Sequence, residues 1–442
     1  MKFQSMDKEI AKDDRRALVA WALYDWAGAP FTTLILTFVF PVYFARAVVG
    51  NAIEGQALWS YAVGTSGVLI AVFTPVLGAV ADAAGRNKIW LFSSTVICAG
   101  ASALLWYTQP TRSSIFWVVV LLVVANSGYV AGTVFNNAML PRLVSKERTG
   151  RWSGWAWAFG YAGGLIGLAL ALVIFVENSL SWFRPDHAAE NVRIIGPFVA
   201  LWFGVFAWPR FVWTPDWSQE GTSLRGAIRQ GFGTMRRTLG SFVQRGNVAR
   251  FLLANMLYSD ALVAIFAVGG VFAAGTFKMT LTEVAGFGIL LNLTAGLGAF
   301  GFAWLDDLLG SRRSILFALG GLILSSLAAV LIDDRTWFWV AGAAMGFFVG
   351  PVQSSSRSFV AKLAPEGQEA EYFGLFALSG RATAFLGPAL VGVATSVSQS
   401  QRIGLGSLIV LLVAGAAVLF RVSDPQALSG SSHLSKSLDA SK

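Results

Sequence analysis

Gly78-Ala-Val-Ala-Asp82-Ala-Ala-Gly85-Arg86-Asn-Lys88 closes one long apolar stretch of the chain. A second version, Ala303-Trp-Leu-Asp-Asp307-Leu-Leu-Gly310-Ser-Arg312-Arg313, closes another one 225 residues later. In both, an acid at the end of the apolar run is followed by a glycine and then by two basic residues. Charge is therefore gathered where the chain leaves an apolar medium. One edge motif repeated at half the chain length indicates two copies of one helical bundle. Proteins built that way include transporters whose substrate site lies between the copies.

Outward from the two signatures, apolar runs of about 20 residues recur along the chain, each able to cross roughly 30 Å of hydrocarbon. Twelve are predicted, at 18–46, 57–81, 89–108, 114–140, 152–176, 194–214, 249–276, 283–305, 314–332, 337–362, 371–397 and 403–421. Composition agrees: 55% of residues are hydrophobic and 13% charged, against roughly 25% charged in soluble domains. The expected fold is an all-α polytopic membrane protein, twelve helices in two pseudo-symmetric six-helix bundles with both termini cytoplasmic. Its parts are an N-terminal segment (1–16), a first bundle (17–214), a linker (215–248), a second bundle (249–421) and a Ser-rich tail (422–442) that reads as disordered.

The net charge of +9 encodes orientation rather than a nucleic-acid partner. Arg46, Arg112, Arg184, Arg193, Lys278, Arg335 and Arg402 fall on the predicted outside, and Arg357 and Arg381 fall within helices. The other 24 of the 33 Lys and Arg fall on the cytoplasmic side, which is the positive-inside bias. In the linker, Leu224, Ile228, Phe232, Met235, Leu239 and Phe242 form an apolar stripe at helical period beside five arginines. That pattern fits a basic amphipathic helix on lipid headgroups, or a plain tether. Cys98 is the single cysteine, so disulfides and thiol metal sites are excluded. The charged N-terminus precedes an apolar stretch too long for a signal core.

The duplication has further support. Gly154, Gly160 and Gly167 match Gly374, Gly380 and Gly387 at a constant offset of 220, and Leu23-Tyr24-Asp25 is echoed by Leu257-Tyr258-Ser259-Asp260. With these residues in view, the chain resembles the major facilitator superfamily, whose signature is the Gly-x-x-x-Asp-x-x-Gly-Arg-x-Lys pattern. Within it the chain is similar to the vacuole-effluxer (autophagy-related permease) family and its bacterial relatives. That similarity rests on Trp21-Ala-Leu-Tyr24-Asp25-Trp26-Ala27, Leu257-Tyr258-Ser-Asp260, Gly350-x-x-Gln353-x-x-Ser356-Arg357-Ser358, Glu371-x-x-Gly374 and Gly387-Pro388. It departs from the family at Gly28-Ala29, where Asn-Ser is common, and at Ala261, where Gly is common. The resemblance implies amino acids as the first substrate class and a cavity lined by helices one, four, seven and ten. It also implies that Gly78, Asp82, Gly85, Arg86 and Lys88, with Asp307, Gly310, Arg312 and Arg313, form a gate; the charges of both motifs, Arg312 and Arg313 above all, read alternatively as positive-inside topology alone.

Ionisable residues within the predicted spans need a partner, a cavity or a function, because a charge at the bilayer centre costs at least ~2.5–3.5 kcal/mol. Asp25, Asp260, Arg357 and Arg381 qualify. Helical spacing places Trp21, Asp25, Gly28 and Thr32 on one face, Asn126, Thr133 and Asn137 on another, and Gly346, Gly350, Gln353 and Arg357 on a third. Asn255 and Ser259 add a shorter stripe. Asp25 and Asp260 are the proton-coupling candidates; Asp25 reads equally as a carboxylate paired with a basic group. Asp260 and Arg381 form an ion pair or bind the two charges of a zwitterion separately. Arg357 reads as a brace of the inner gate. Pro30, Pro75, Pro351 and Pro388 mark bends.

The function these residues imply is secondary active transport of a small polar solute, driven by H⁺, by a chain that works as a monomer without cofactor or metal. The phosphate-binding Gly-x-x-x-x-Gly-Lys-Ser/Thr loop is absent. No nucleophile–base motif stands in a span, and His187 and His433, the only histidines, lie outside them, which argues against an enzyme. A transporter-like receptor or assembly factor without net transport is the alternative. Short loops and tails point to a bacterial inner membrane.

Overall fold

Pro30 sets the shape of the first helix. Helix α1 (Arg15–Pro30) opens with the Asp14 carboxylate accepting from the Arg16 amide at 3.0 Å. Pro30 has no N–H to offer the Trp26 carbonyl, and the Trp202 indole donates to that carbonyl instead, at 3.4 Å. Past Pro30 the chain widens into π-helical turns, Phe31–Phe38 and Phe44–Val48, around a short turn at Phe40–Tyr43. Thr32 and Thr33 both bond back to the Ala29 carbonyl, at 2.8 and 3.0 Å. The span expected at 18–46 is thus α-helical up to Pro30 and largely π-helical beyond it.

The computed structural model describes residues 13–84, 87–176, 189–214, 226, 246–279, 281–380, 383–384 and 386–423. Apart from Gly226 and the residues from 246, the expected linker helix at 215–248 lies outside them. So do Gly85, Arg86, Arg381, His187 and His433, and the side chain of Asp82.

The other main helices are α2 (Ala52–Ala84), α3 (Asn87–Leu104), α4 (Ile115–Ala138), α5 (Thr149–Ala171), α6 (Ile195–Trp213), α7 (Gly246–Thr276), α8 (Leu281–Leu309), α9 (Ser311–Leu331), α10 (Arg335–Leu363), α11 (Glu369–Ser379), α12 (Leu386–Ser398) and α13 (Gln401–Phe420). Among the described residues there is no strand, and nine helical segments are long and apolar enough to cross a membrane. The stretch expected as one helix at 371–397 is two, α11 and α12, and the described residues between them, 380 and 383–384, are in turns. Gly380 at the first end and Gly387-Pro388 just after the second explain the break: glycine weakens a helix and proline cannot donate to the turn before it.

Helices α1 to α6 pack on one another, chiefly α1 on α5 and α6, α3 on α4 and α6, and α2 on α4. In the second group α10 packs on α8 and α9, and α13 on α7, α9 and α12. The seam between the groups is α5 against α8 and α10, and α11 against α2 and α4. Within a membrane, close backbone approach at small residues is what holds helices together. Gly78 of the signature serves that purpose: a Cβ there would meet the Ala370 carbonyl oxygen of α11 at 2.3 Å. On the other side of the seam, a Cβ on Gly154 of α5 would sit 2.5 Å from the Ala299 carbonyl of α8. Gly310 has φ +83° where α8 turns into α9, a conformation other residues rarely adopt.

Candidate functional site

Between the two groups of helices lies a cavity with two lobes. The first, of about 400 Å³, is lined by Asp25 and Ala29 of α1, by Thr32 and Thr33 of the π-helical turn beyond it, by Trp157, Tyr161 and Leu165 of α5, and by Asn292 of α8 and Arg357 of α10. The second, of about 480 Å³, is lined by Asn255, Tyr258 and Ser259 of α7, Gln353 of α10, and Phe373 and Phe376 of α11. Tyr129, Thr133, Asn137 and Trp157 border both. Volumes of this size suit a small organic solute. Its walls are mixed: hydroxyls and amides from helical stripes, and aliphatic and aromatic side chains between them.

The floor of the first lobe is charged. Arg357 Nη1 donates to Asp25 Oδ2 at 2.5 Å and to Asn137 Oδ1 at 3.3 Å. Its Nε donates to Ser153 Oγ at 2.9 Å and its Nη2 to the Ser153 carbonyl at 2.5 Å. The Trp21 and Trp157 rings flank the guanidinium, with centroids 5.0 and 5.6 Å away. All of these partners belong to the first group of helices, whereas Arg357 belongs to the second. The side chains are 3% (Arg357) and 13% (Asp25) exposed. In such surroundings, removing one partner leaves the other largely buried and uncompensated.

Between the cavity and the signature end, more contacts cross the seam. Arg142 and Glu369 form a two-pronged pair, Nε to Oε1 at 3.0 Å and Nη2 to Oε2 at 2.7 Å. Asp307 accepts from the Arg151 amide at 3.1 Å and lies 3.3 Å from its guanidinium. Set against the first turn of α5, the Asp307 carboxylate also meets the positive end of that helix's dipole. Ser153 Oγ donates to the Ser354 carbonyl at 2.7 Å, and in the cavity wall itself Tyr161 Oη donates to Gln353 Oε1 at 2.6 Å. Asp306 stays within the second group, bonded to Lys362 Nζ at 3.1 Å and to the Ser311 and Ser358 hydroxyls.

The residues singled out by spacing are placed as follows. Asp25, Thr32, Thr133, Asn137, Asn255, Ser259, Gln353 and Arg357 all line the cavity. Asn126 does not: it shares the face of Thr133 and Asn137 but lies two turns farther from the signature end, where it donates to Ser66 Oγ of α2 at 2.6 Å. Asp260 lines neither lobe; it is 1% exposed, and its Oδ1 has no hydrogen-bond partner among the described residues. Asn255 donates to Ser379 Oγ at 2.8 Å.

The gate residues divide. Gly78 and Asp307 lie on the seam. Lys88 donates to the Thr214 carbonyl at 2.7 Å, a contact inside the first group that fastens the end of α6. Arg312 bonds to the Leu419 and Phe420 carbonyls, satisfying the carboxyl end of α13 inside the second group, and Arg313 is exposed. Both arginines stand where a basic side chain neutralises a helix end or meets water, so neither reaches across. Spacing did not bring forward Arg142, Arg151, Glu369, Asp306 or Lys362. They sit at helix ends, where charge is ordinary, and their partners are far away in sequence. Tyr129, Trp157 and Tyr161 were hidden among 17 Trp and 8 Tyr.

Fold and cavity together define a membrane transporter of the major facilitator type. The solved structure of the major facilitator transporter FucP in the outward conformation superposes with a TM-score of 0.74 at 13% identity, over 93% of this chain and 99% of that one, a likeness of fold. The chain belongs to the family described as vacuole effluxer Atg22 like, whose profile matches residues 46–429. It is similar to the uncharacterized MFS-type transporter YxiO of Bacillus subtilis, 23% identical over 90% of this chain and 93% of that one. It is also similar to autophagy-related protein 22 of Kluyveromyces lactis, 24% identical over 86% of this chain and 81% of its relative.

Proposed function

We propose that this transporter moves a small polar solute, amino acids first, by alternating access coupled to H⁺ across a bacterial inner membrane. The observation that carries the reading is the paired charge at the cavity floor. Asp25 and Arg357 face a solute-sized space and at the same time bridge the two groups of helices. A carboxylate and a guanidinium side by side suit the two charges of a zwitterion, and the Phe and Leu side chains above them suit an apolar substituent. The seam is closed at the signature end, and the cavity extends the other way, to Phe38, Val39 and Leu172. With the signature end cytoplasmic, this is an outward-facing state. Opening the floor requires the bridge to part, and a proton on Asp25 would remove half of its charge pairing. That is how a gradient of H⁺ can be coupled to the movement of the solute. Two bundles, at 17–214 and 249–421, would rock about the seam.

The test is counterflow of a labelled amino-acid pool in proteoliposomes, with and without an imposed pH gradient, for the wild type and Asp25→Asn. Flux stimulated by the gradient and insensitive to it in the variant supports the reading. Stimulated flux unchanged by the variant moves coupling away from Asp25, with Asp260 next. Absence of flux for every pool member removes the amino-acid assignment.

A further inference from the structure

We propose that Arg357 is the anion-receiving group of the cavity, and that in the empty protein Asp25 occupies the position a solute carboxylate takes. The proposal rests on the reading of the cavity as an amino-acid site and names the group that selects for the carboxylate.

The guanidinium has two functional edges. Nε and Nη2 are held by the hydroxyl and carbonyl of Ser153, which lines neither lobe. The Trp21 and Trp157 rings fix the plane. Nothing on this side needs to leave for a solute to bind. Nη1 instead points at Asp25 and Asn137, and both of these line the cavity. The fork is therefore oriented in advance, with one edge anchored and the other served by a carboxylate within reach of a solute.

Asp25 has room to yield. The residue of α5 opposite it is Gly160, where even an added Cβ would come no closer than 3.6 Å to Asp25. A carboxylate arriving on Nη1 reproduces the charge and geometry that Asp25 supplies, so the exchange leaves no buried cation unpaired. Once displaced, Asp25 faces the ammonium of the same zwitterion, and the solute becomes inserted into the ion pair. Asp25 is also the only carboxylate that joins α1 to α10 among the described residues. Occupancy of the cavity then loosens the seam at the point nearest the solute, and the residue that recognises the anion is also the one that registers its arrival. A solute without an anionic group would find Arg357 already satisfied and would leave the seam closed.

The test uses the full chain in proteoliposomes, with Cys98→Ser and nitroxides on cysteines at Glu147 and Glu366. These are exposed residues of the two groups at the signature end. Distances are recorded against a pool of L-amino acids and against the matching pool of carboxamides. The acid pool is expected to add a longer-distance population, and the carboxamides to need roughly tenfold or more higher concentration, the loss of one charged hydrogen-bond pair. Asp25→Asn is expected to show the longer population without solute. Arg357→Lys keeps the charge but loses the fork, and should narrow the acid–amide difference. Carboxamides acting at the same concentration as acids, or neither pool changing the distance, would overturn the proposal. Counterflow in the same vesicles separates the two readings: flux without acid–amide discrimination removes only the role of Arg357, whereas absence of flux removes both.

Discussion

The two ends of the helical assembly differ in their ion pairs: those that join the two groups lie at the signature end, beside the buried Asp306–Lys362 pair inside the second group, and none lies at the far end among the described residues. At the signature end, Arg142–Glu369, Arg151–Asp307 and Arg357–Asp25 each join one group of helices to the other, and each keeps at least one side chain almost fully buried. At the far end, Arg112–Glu54, Arg335–Glu283 and Arg402–Asp333 each stay inside one group and are largely exposed. Exposed pairs contribute about 0–1 kcal/mol and are screened by salt. Buried ones cost several kcal/mol to break on one side only. The charge that matters for conformation is therefore concentrated where the groups touch, and the far end is free to move without breaking any crossing pair among the described residues.

Substitutions at the two ends can break or sharpen this contrast. The largest effect is expected for Arg357→Ala, which leaves Asp25 buried and unpaired. A penalty of about 3–5 kcal/mol on the closed signature end would appear as a predominantly long distance between labels at Glu147 and Glu366, with loss of counterflow. Arg142→Ala should follow, at about 1.5–3 kcal/mol for one charged pair. Exchanging the two charges, Arg142→Glu with Glu369→Arg, should recover part of the closed population, which a merely local packing role would not allow. Gly78→Val drives a side chain into the Ala370 carbonyl, and overpacking of about 1–3 kcal/mol should disfavour closure without altering any charge. Its signature is a longer label distance that does not respond to salt. Glu54→Gln at the far end should change flux and thermal stability the least, by less than about 1 kcal/mol. A large effect there would remove the asymmetry between the ends.

Much of the cavity was legible because a polar residue every three or four positions on an apolar helix has few explanations besides a wet face. Asp25, Thr133, Asn137, Gln353 and Arg357 were found that way. The same periodicity misassigned Asn126, since spacing fixes a face and says nothing of height, and α2 covers that face above Thr133. The gate was less legible. Asp307 was visible through the motif, whereas its neighbour Asp306, turned about 100° around the helix, binds Lys362 inside its own group. Arg142 and Glu369 are 227 residues apart and become partners only once α4 and α11 are brought together. Lys88 and Arg312 carry motif identities, and each also bonds a carbonyl at the end of a neighbouring helix within its own group. The interruption of the span at 371–397 was foreshadowed by Gly387-Pro388, but hydropathy alone runs through it.

The central claim is that the closed signature end and the cavity beyond it belong to one alternating cycle. It is tested most directly by measuring both ends in the same preparation, with labels at Glu147 and Glu366 on one end and at Gln109 and Gln399 on the other, before and after adding the amino-acid pool. Reciprocal change, with the first distance lengthening as the second shortens, is what alternating access about the Asp25–Arg357 floor predicts. Two ends that move together, or a far end that stays fixed while the signature end opens, would contradict it.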